Sequence, residues 1–242
     1  MPPKCIFFDL DETLVENKRT VPELFVDVYA DQAEILGSEN QERFFTTLRE
    51  HAGGLWESMF DSNDSPESLF ADCFIQSVAA LGFDSGESTD LGNAMINRYQ
   101  QLSAANVQLY DDAISTINQL REQGFQVGII TNGIEKIQQG KIDAVKLEDH
   151  VNHVTISAQA RAHKPHAPVF ELALSRANCG PSEAWQVGDH ATNDVAGAIR
   201  MGMKGVFYDP NGNRRATAFD ELEVEPSHTI ARLSKVLELT QN

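Results

Sequence analysis

Asp9 and Asp11 follow the apolar run Cys5-Ile6-Phe7-Phe8 and are separated by Leu10 alone. In an extended chain, side chains at i and i+2 share a face, so a strand continuing through Leu10 would aim both carboxylates into one small volume. Like charges held that close repel unless a cation or a proton relieves them. The plain alternative is a solvated acidic turn after a core strand, and the rest of the chain argues against it. Thr131-Asn132-Gly133 follows the apolar stretch 127–130, Lys164 lies in His163-Lys164-Pro165, and Gly188-Asp189, with Asp194 beyond, follows Ala184-Trp185-Gln186-Val187. Each stands at or near the C-terminal end of a predicted strand, where open α/β sheets place their ligand crevice. A hydroxyl with free backbone N–H groups, a lysine and several carboxylates would converge there on one anionic, metal-bound group. A phosphoryl group fits best.

These four segments, in this order and spacing, resemble the four motifs of the haloacid dehalogenase superfamily. The resemblance covers the core and not the middle of the chain. Asp9-x-Asp11-x-Thr13 is similar to the first motif in its phosphatase form, since dehalogenases of the superfamily lack the second aspartate. The resemblance implies Asp9 as nucleophile, because a carboxylate can form an aspartyl-phosphate when a divalent cation draws charge from the phosphate. It implies Asp11 as the acid that protonates the leaving alkoxide and then as the base that activates water. Thr131, with Asn132 and Gly133, would bind the phosphoryl group, and Lys164 would both bind it and offset its charge. Mg2+ suits an all-oxygen site, its implied ligands being Asp9, the backbone carbonyl of Asp11 and a carboxylate of Asp189.

Asp194 would support the metal and the lysine, although its place at a helix start also suits a dipole role. Thr13 would tie the loop backbone. The loop 157–163 lacks the acidic residue and glycine common before the lysine of the third motif, and His190 stands where a small hydroxyl residue is usual. His190 reads as a helix-entry or surface histidine. His163 and His166 flank Lys164 without a third nearby ligand, which a metal pair would need.

The 242 residues allow one large domain, or a domain with an insert, at about 100 to 200 residues per domain. A net charge of −17 argues against a nucleic-acid polymer, which requires basic patches to displace counterions. Three widely spaced cysteines in apolar segments read as buried free thiols of a reducing compartment. The N-terminus lacks the apolar stretch of a signal peptide, and no run approaches a membrane span. A cytoplasmic protein is the expectation.

Short apolar runs give way to helical periodicity after Glu16 and return near Ala105. Residues 1–16 and 106–242 are therefore expected to form an α/β core, and 17–105 a helical cap domain. Within the cap, Phe70, Cys73, Phe74, Ser77, Val78 and Leu81 recur at three- and four-residue steps after the start signal Ser65-Pro66-Glu67. Stretches 21–36, 41–51 and 89–104 read similarly, with linkers at 16–20 and 105–108. Phe44, Phe45, Trp56 and Phe60 are read as mostly cap core, one or two of them facing a substrate.

In the core, strands are predicted at 125–130, 151–156, 184–187 and, as an edge, 205–208. Helices are predicted around Ile114, Ile117 and Leu120, over 167–177 and 195–201, and as a closing element over 230–239. Alternating strands and helices specify a parallel sheet covered on both faces: an α/β, Rossmann-like core, the fold of the resembled superfamily, with an inserted α-helical cap.

The resemblance implies a phosphomonoesterase acting on a small soluble phosphate ester. The stretch from Asn132-Gly133 through Gln139 is similar to its nucleotidase-like branch, so a nucleoside 5′-monophosphate is the first expectation. A sugar-phosphate or sialic-acid-phosphate phosphatase is the alternative. A phosphonate hydrolase would want a cap lysine, and Lys18 sits near the expected hinge. From another class, a non-catalytic binding protein could retain the same scaffold.

Overall fold

The computed structural model of the chain describes residues 3–212, 219 and 224–241; Met1 and Pro2 of the expected first core segment lie outside them. Two compact units form. One comprises Met1–Asn17, Val107–Gln138 and Ile142–Asn242, and the other Lys18–Asn106 with Gln139–Lys141.

In the first unit, β1 (Cys5–Phe8), β4 (Gln126–Thr131), β5 (His153–Ile156), β6 (Ala184–Gly188), β7 (Lys204–Tyr208) and β8 (His228–Ile230) build a sheet in the order β5-β4-β1-β6-β7-β8. Every pairing is parallel. Parallel sheets bury both faces, so their strands are apolar without alternation, and all four residues of β1 are buried. Ile6 and Phe8 join Val127, Ile129 and Val187 beneath Ile117 and Leu120 of α7 (Ala113–Glu122). Cys5 and Phe7 face the other way, against Val169, Phe170 and Ala173 of α10 (Ala167–Arg176). Because β1 lies between β4 and β6, the residue after it emerges at the middle of the sheet's carboxyl edge, at a switch point of strand order.

Several sequence expectations are corrected at the periphery. Stretch 205–208 is not an edge, because β8 pairs outside β7. The predicted helix 230–239 gives way to the end of β8 and a short α12 (Lys235–Leu239), the Ser234 N–H donating to Asp112 Oδ2 at 2.9 Å just before it. Stretch 195–201 is a π-helical turn, Ala191–Ala196, followed by α11 (Gly197–Arg200). The loop after β5 opens with one helical turn, α9 (Ser157–Ala160). Where linkers were expected, β2 (Val15–Asn17) and β3 (Val107–Leu109) pair antiparallel.

The second unit is helical. The expected helix 21–36 is interrupted at Asp31 and Gln32, giving α1 (Val21–Ala30) and α2 (Ala33–Leu36). There follow α3 (Gln41–Ala52), α4 (Leu55–Ser58), α5 (Pro66–Ala79) and α6 (Ser85–Ala105). Ser65 caps α5 as read, its Oγ accepting from the Ser68 N–H at 3.1 Å. Helix α6 starts one turn earlier than its periodicity suggests, because Asp84 accepts from the Glu87 N–H at 2.9 Å and Glu87 accepts from the Asp84 N–H at 3.3 Å. Phe74 sits among Phe25, Phe44 and Phe70, with ring centroids 5.5, 6.3 and 5.6 Å away. Among the described residues no helix is long and apolar enough to cross a membrane.

Candidate active site

Asp9 leaves β1 at the sheet's carboxyl edge, its N–H donating to the Val187 carbonyl at 2.9 Å. The chain then turns instead of continuing extended: the Thr13 and Leu14 N–H groups both donate to the Leu10 carbonyl, and Glu12 has a positive φ of 57°. The extended backbone that the i, i+2 rule assumes therefore ends at this turn. Asp9, Asp189 and Asp194 offer carboxylate oxygens within 4.8 Å of one another.

Lys164 stands among them, 3% exposed. Its Nζ donates to Asp9 Oδ1 at 2.7 Å, to Asp194 Oδ1 at 2.6 Å and to the Ile130 carbonyl at 2.7 Å. Three bonds exhaust the donors of an ammonium group. Burial works against this charge, yet Asp194 and then Asp9 hold the lysine pKa above its ordinary value. Asp9 is pushed up to about 8, first by burial and then by Asp194 and Asp189, against the pull of Lys164.

Asp194 is fully buried. It also accepts from Gln186 Nε2 at 3.1 Å and, through Oδ2, from the His190 N–H at 3.1 Å. Gly188 makes room for it, since a Cβ at that position would collide with the Asp194 carboxylate. His190 caps the π-helical turn, its Nδ1 accepting from the Asn193 N–H at 3.2 Å. Thr13, fully buried, reaches Asp189 Oδ1 at 3.4 Å through its hydroxyl, whereas a tie to the loop backbone was expected.

At the end of β4, Thr131 is 1% exposed. The Asn132 side chain clamps the lysine loop, donating to the Lys164 carbonyl at 3.0 Å and accepting from the Lys164 N–H at 2.7 Å. The Gly133 N–H, expected to be free for an anion, donates to Ser157 Oγ at 3.0 Å, and Ser157 Oγ in turn lies 2.8 Å from His163 Nδ1. His163 is buried and His166 exposed, so they form no pair.

Asp11 is held on both oxygens, Oδ1 by Asn17 Nδ2 at 2.9 Å and Oδ2 by Gln138 Nε2 at 2.8 Å. Asn17, Gln138, Ser157 and Gln186 are the residues that the sequence reading left without a role. Two carried a signal: Gln186 interrupts a buried strand, and Gln138 interrupts the apolar stripe of α8 (Glu135–Ala144).

The donor set fits a hard divalent cation. Two carboxylates bond one ammonium group and a third, that of Asp189, lies beside them, so the excess charge is negative and all candidate ligand atoms are oxygen. A cation there would also return Asp9 to its ionised form.

Comparison with known proteins places the chain in a family. Residues 6–208 match the family described as haloacid dehalogenase-like hydrolase. The chain is 32% identical to ribulose-1,5-bisphosphate 5-phosphatase of Halopiger xanaduensis over a stretch covering 64% of each protein. It thus spans somewhat under two thirds of that relative. It is 29% identical to glyceraldehyde 3-phosphate phosphatase of Pyrococcus abyssi, over 85% of this chain and 81% of the relative. Pyrimidine 5′-nucleotidase of Streptococcus pneumoniae is 23% identical, over 86% and 84%. Among solved structures, a 2-haloacid dehalogenase from Pseudomonas syringae superposes with a TM-score of 0.78 at 24% identity, over 99% of this chain and 98% of that one, which shows the fold. The parallel sheet, its helices and the family match agree: this chain belongs to the haloacid dehalogenase-like hydrolases.

Proposed function

We propose that this hydrolase is a magnesium-dependent phosphomonoesterase that acts on a small phosphorylated metabolite through an aspartyl-phosphate on Asp9. The observation that carries the reading is Lys164 bridging Asp9 and Asp194 beside Asp189, a buried anionic cluster with a single ammonium inside it. Asp9 attacks phosphorus, and Lys164 offsets the charge that gathers on the phosphoryl oxygens. Asp11 protonates the leaving alkoxide, then takes the proton of the water that hydrolyses the acyl-phosphate. Thr131 donates its hydroxyl to a phosphoryl oxygen. Magnesium would be held by Asp9, the Asp11 carbonyl and Asp189, with Asp194 behind them, and when bound it draws charge from the phosphate. The helical unit is proposed as an inserted cap domain.

A nucleoside 5′-monophosphate is the first candidate substrate, supported by the stretch 132–139 and by the nucleotidase relative. Sugar phosphates are the second, favoured by relatives named for ribulose bisphosphate and glyceraldehyde phosphate. The test is hydrolysis of a chromogenic phosphate ester with magnesium and after exhaustive chelation, followed by a ranking of phosphorylated metabolites by kcat/KM. Turnover that requires magnesium is expected. Binding of esters without turnover would leave a binding protein on this scaffold, and full turnover after chelation would require another electrophile.

A further inference from the structure

Gln138 is 2% exposed and lies in α8 with the buried Ile137 and Ile142, one turn after the buried Ile134 at the helix N-cap. Its Nε2 donates twice, to Asp11 Oδ2 at 2.8 Å and to Thr131 Oγ1 at 2.7 Å. An amide NH2 has two hydrogens and accepts nothing, so both bonds run outward from the nitrogen. The flipped amide would set a carbonyl oxygen against the Asp11 carboxylate, which fixes the orientation.

Two consequences follow. Thr131 Oγ is an acceptor toward Gln138, so its own hydrogen is turned away from that amide, toward the Asn132 carbonyl at a long 3.5 Å, a weak bond that an incoming anion would replace. Asp11, with Asn17 Nδ2 on Oδ1 at 2.9 Å, is gripped on both oxygens and cannot rotate about its Cβ–Cγ bond without breaking one bond. Gly133 admits this arrangement, because a Cβ there would collide with Gln138 Cγ and lie 2.7 Å from its Cδ.

We infer that Gln138 is a positioning residue that sets the Asp11 carboxylate and the Thr131 hydroxyl from one amide nitrogen. The inference rests on the phosphomonoesterase reading above. It assigns to a residue outside the four motif segments the alignment of the group that protonates the leaving oxygen.

The experiment is steady-state kinetics of Gln138→Met, which keeps length and volume and removes the donors. Two magnesium-supported substrates are compared: an alkyl phosphate, whose alkoxide must be protonated to leave, and an aryl phosphate with an acidic phenol, which leaves without a proton. The parameter kcat/KM reports the steps through transfer to Asp9. It should fall by roughly 10- to 100-fold for the alkyl ester, and by about fivefold less for the aryl ester. Loss of packing alone would scale both esters equally. Gln138→Glu, with the same shape and acceptors in place of donors, should show the same split and serves if the methionine variant does not fold. Equal scaling of both esters, or an unchanged alkyl ester, overturns the inference. Failure of the underlying reading looks different: Asp9→Asn would then retain turnover, whatever Gln138 does.

Discussion

The two units of this protein place their charges in opposite ways. In the α/β unit, Lys164 meets Asp9 and Asp194 at 2.7 and 2.6 Å with side chains 2%, 12% and 1% exposed. In the helical unit, Arg98 meets Asp31 at a similar 2.5 Å, but those side chains are 41% and 45% exposed. Among the described residues Lys18–Asn106 no charged side chain is buried, and the interior is filled by rings. Taking an ion out of water costs several kcal/mol even after relaxation, whereas buried rings stabilise through area and edge-to-face contact. The difference teaches where chemistry is expected. A fold that buries three ionisable groups together at one sheet edge, while its segment Lys18–Asn106 buries none among the described residues, is organised around what those groups do.

The strongest way to break this comparison is Asp9→Asn. Turnover should fall to background, because the amide keeps the shape but cannot form an acyl-phosphate. The same variant reads the cost of burial through pH. In the fold burial pushes Asp9 up to about 8, against about 4 in the unfolded chain. Between those values the native protein holds a proton that the unfolded chain has released, so stability falls as pH rises through the window and the full cost is reached above it. Asparagine has no such proton. In chelator, the melting temperature of Asp9→Asn should therefore gain on the wild type from about pH 5 to pH 9, and magnesium should close the gap. Parallel melting curves would mean that Lys164 keeps Asp9 ionised throughout, and the buried triad would then carry no stability cost.

Phe44→Ala makes the matching test in the helical unit. Phe44 is fully buried, with centroids 5.1 Å from Tyr29, 5.5 Å from Phe45 and 6.3 Å from Phe74. It is core, whereas Trp56, grouped with it by sequence, is 42% exposed. Deleting the ring should cost about 3–5 kcal/mol, measured as a lower denaturant midpoint of the helical circular-dichroism signal. A loss under about 1 kcal/mol would show that the ring cluster is not what holds this unit together.

How much of this was legible in the sequence depended on how local the cause was. Strand β1 is a continuous apolar run and β4 and β6 are largely apolar because both sheet faces are covered, and Asp9, Thr131 and Asp189 stand at or just beyond their carboxyl ends. The cap of α5 was legible in Ser65-Pro66-Glu67 for the same reason. The ribbon β2–β3 was not, since three residues per strand carry no period and their pairing spans the whole insert. Strand β8 was hidden because His228-Thr229-Ile230 is equally short. The partner of Asp11 was hidden for a different reason: Gln138 lies 127 residues away. Asn132 and Gly133 are expected at the anion through their backbone N–H groups and the motif; the Gly133 N–H is instead taken by Ser157 and the Asn132 side chain by the Lys164 backbone, contacts between distant segments that no local pattern signals.

The smallest expected effect sharpens the comparison from the other side. Arg98→Gln removes an ion pair whose separation is no longer than those of Lys164, so distance alone would assign it equal weight. Solvent decides otherwise. Both partners remain largely hydrated, their attraction is screened within about 8–10 Å at ordinary ionic strength, and ordering two long side chains offsets what attraction remains. Asp31, left alone, stays in water and incurs no burial penalty. The variant should melt within about 2 °C of the wild type, and whatever difference exists should shrink as salt is raised toward 1 M. A loss of many degrees that salt does not diminish would mean that Arg98 is held by packing of its stem, and the contrast between a charge-burying unit and a ring-burying unit would then have to be redrawn around that side chain.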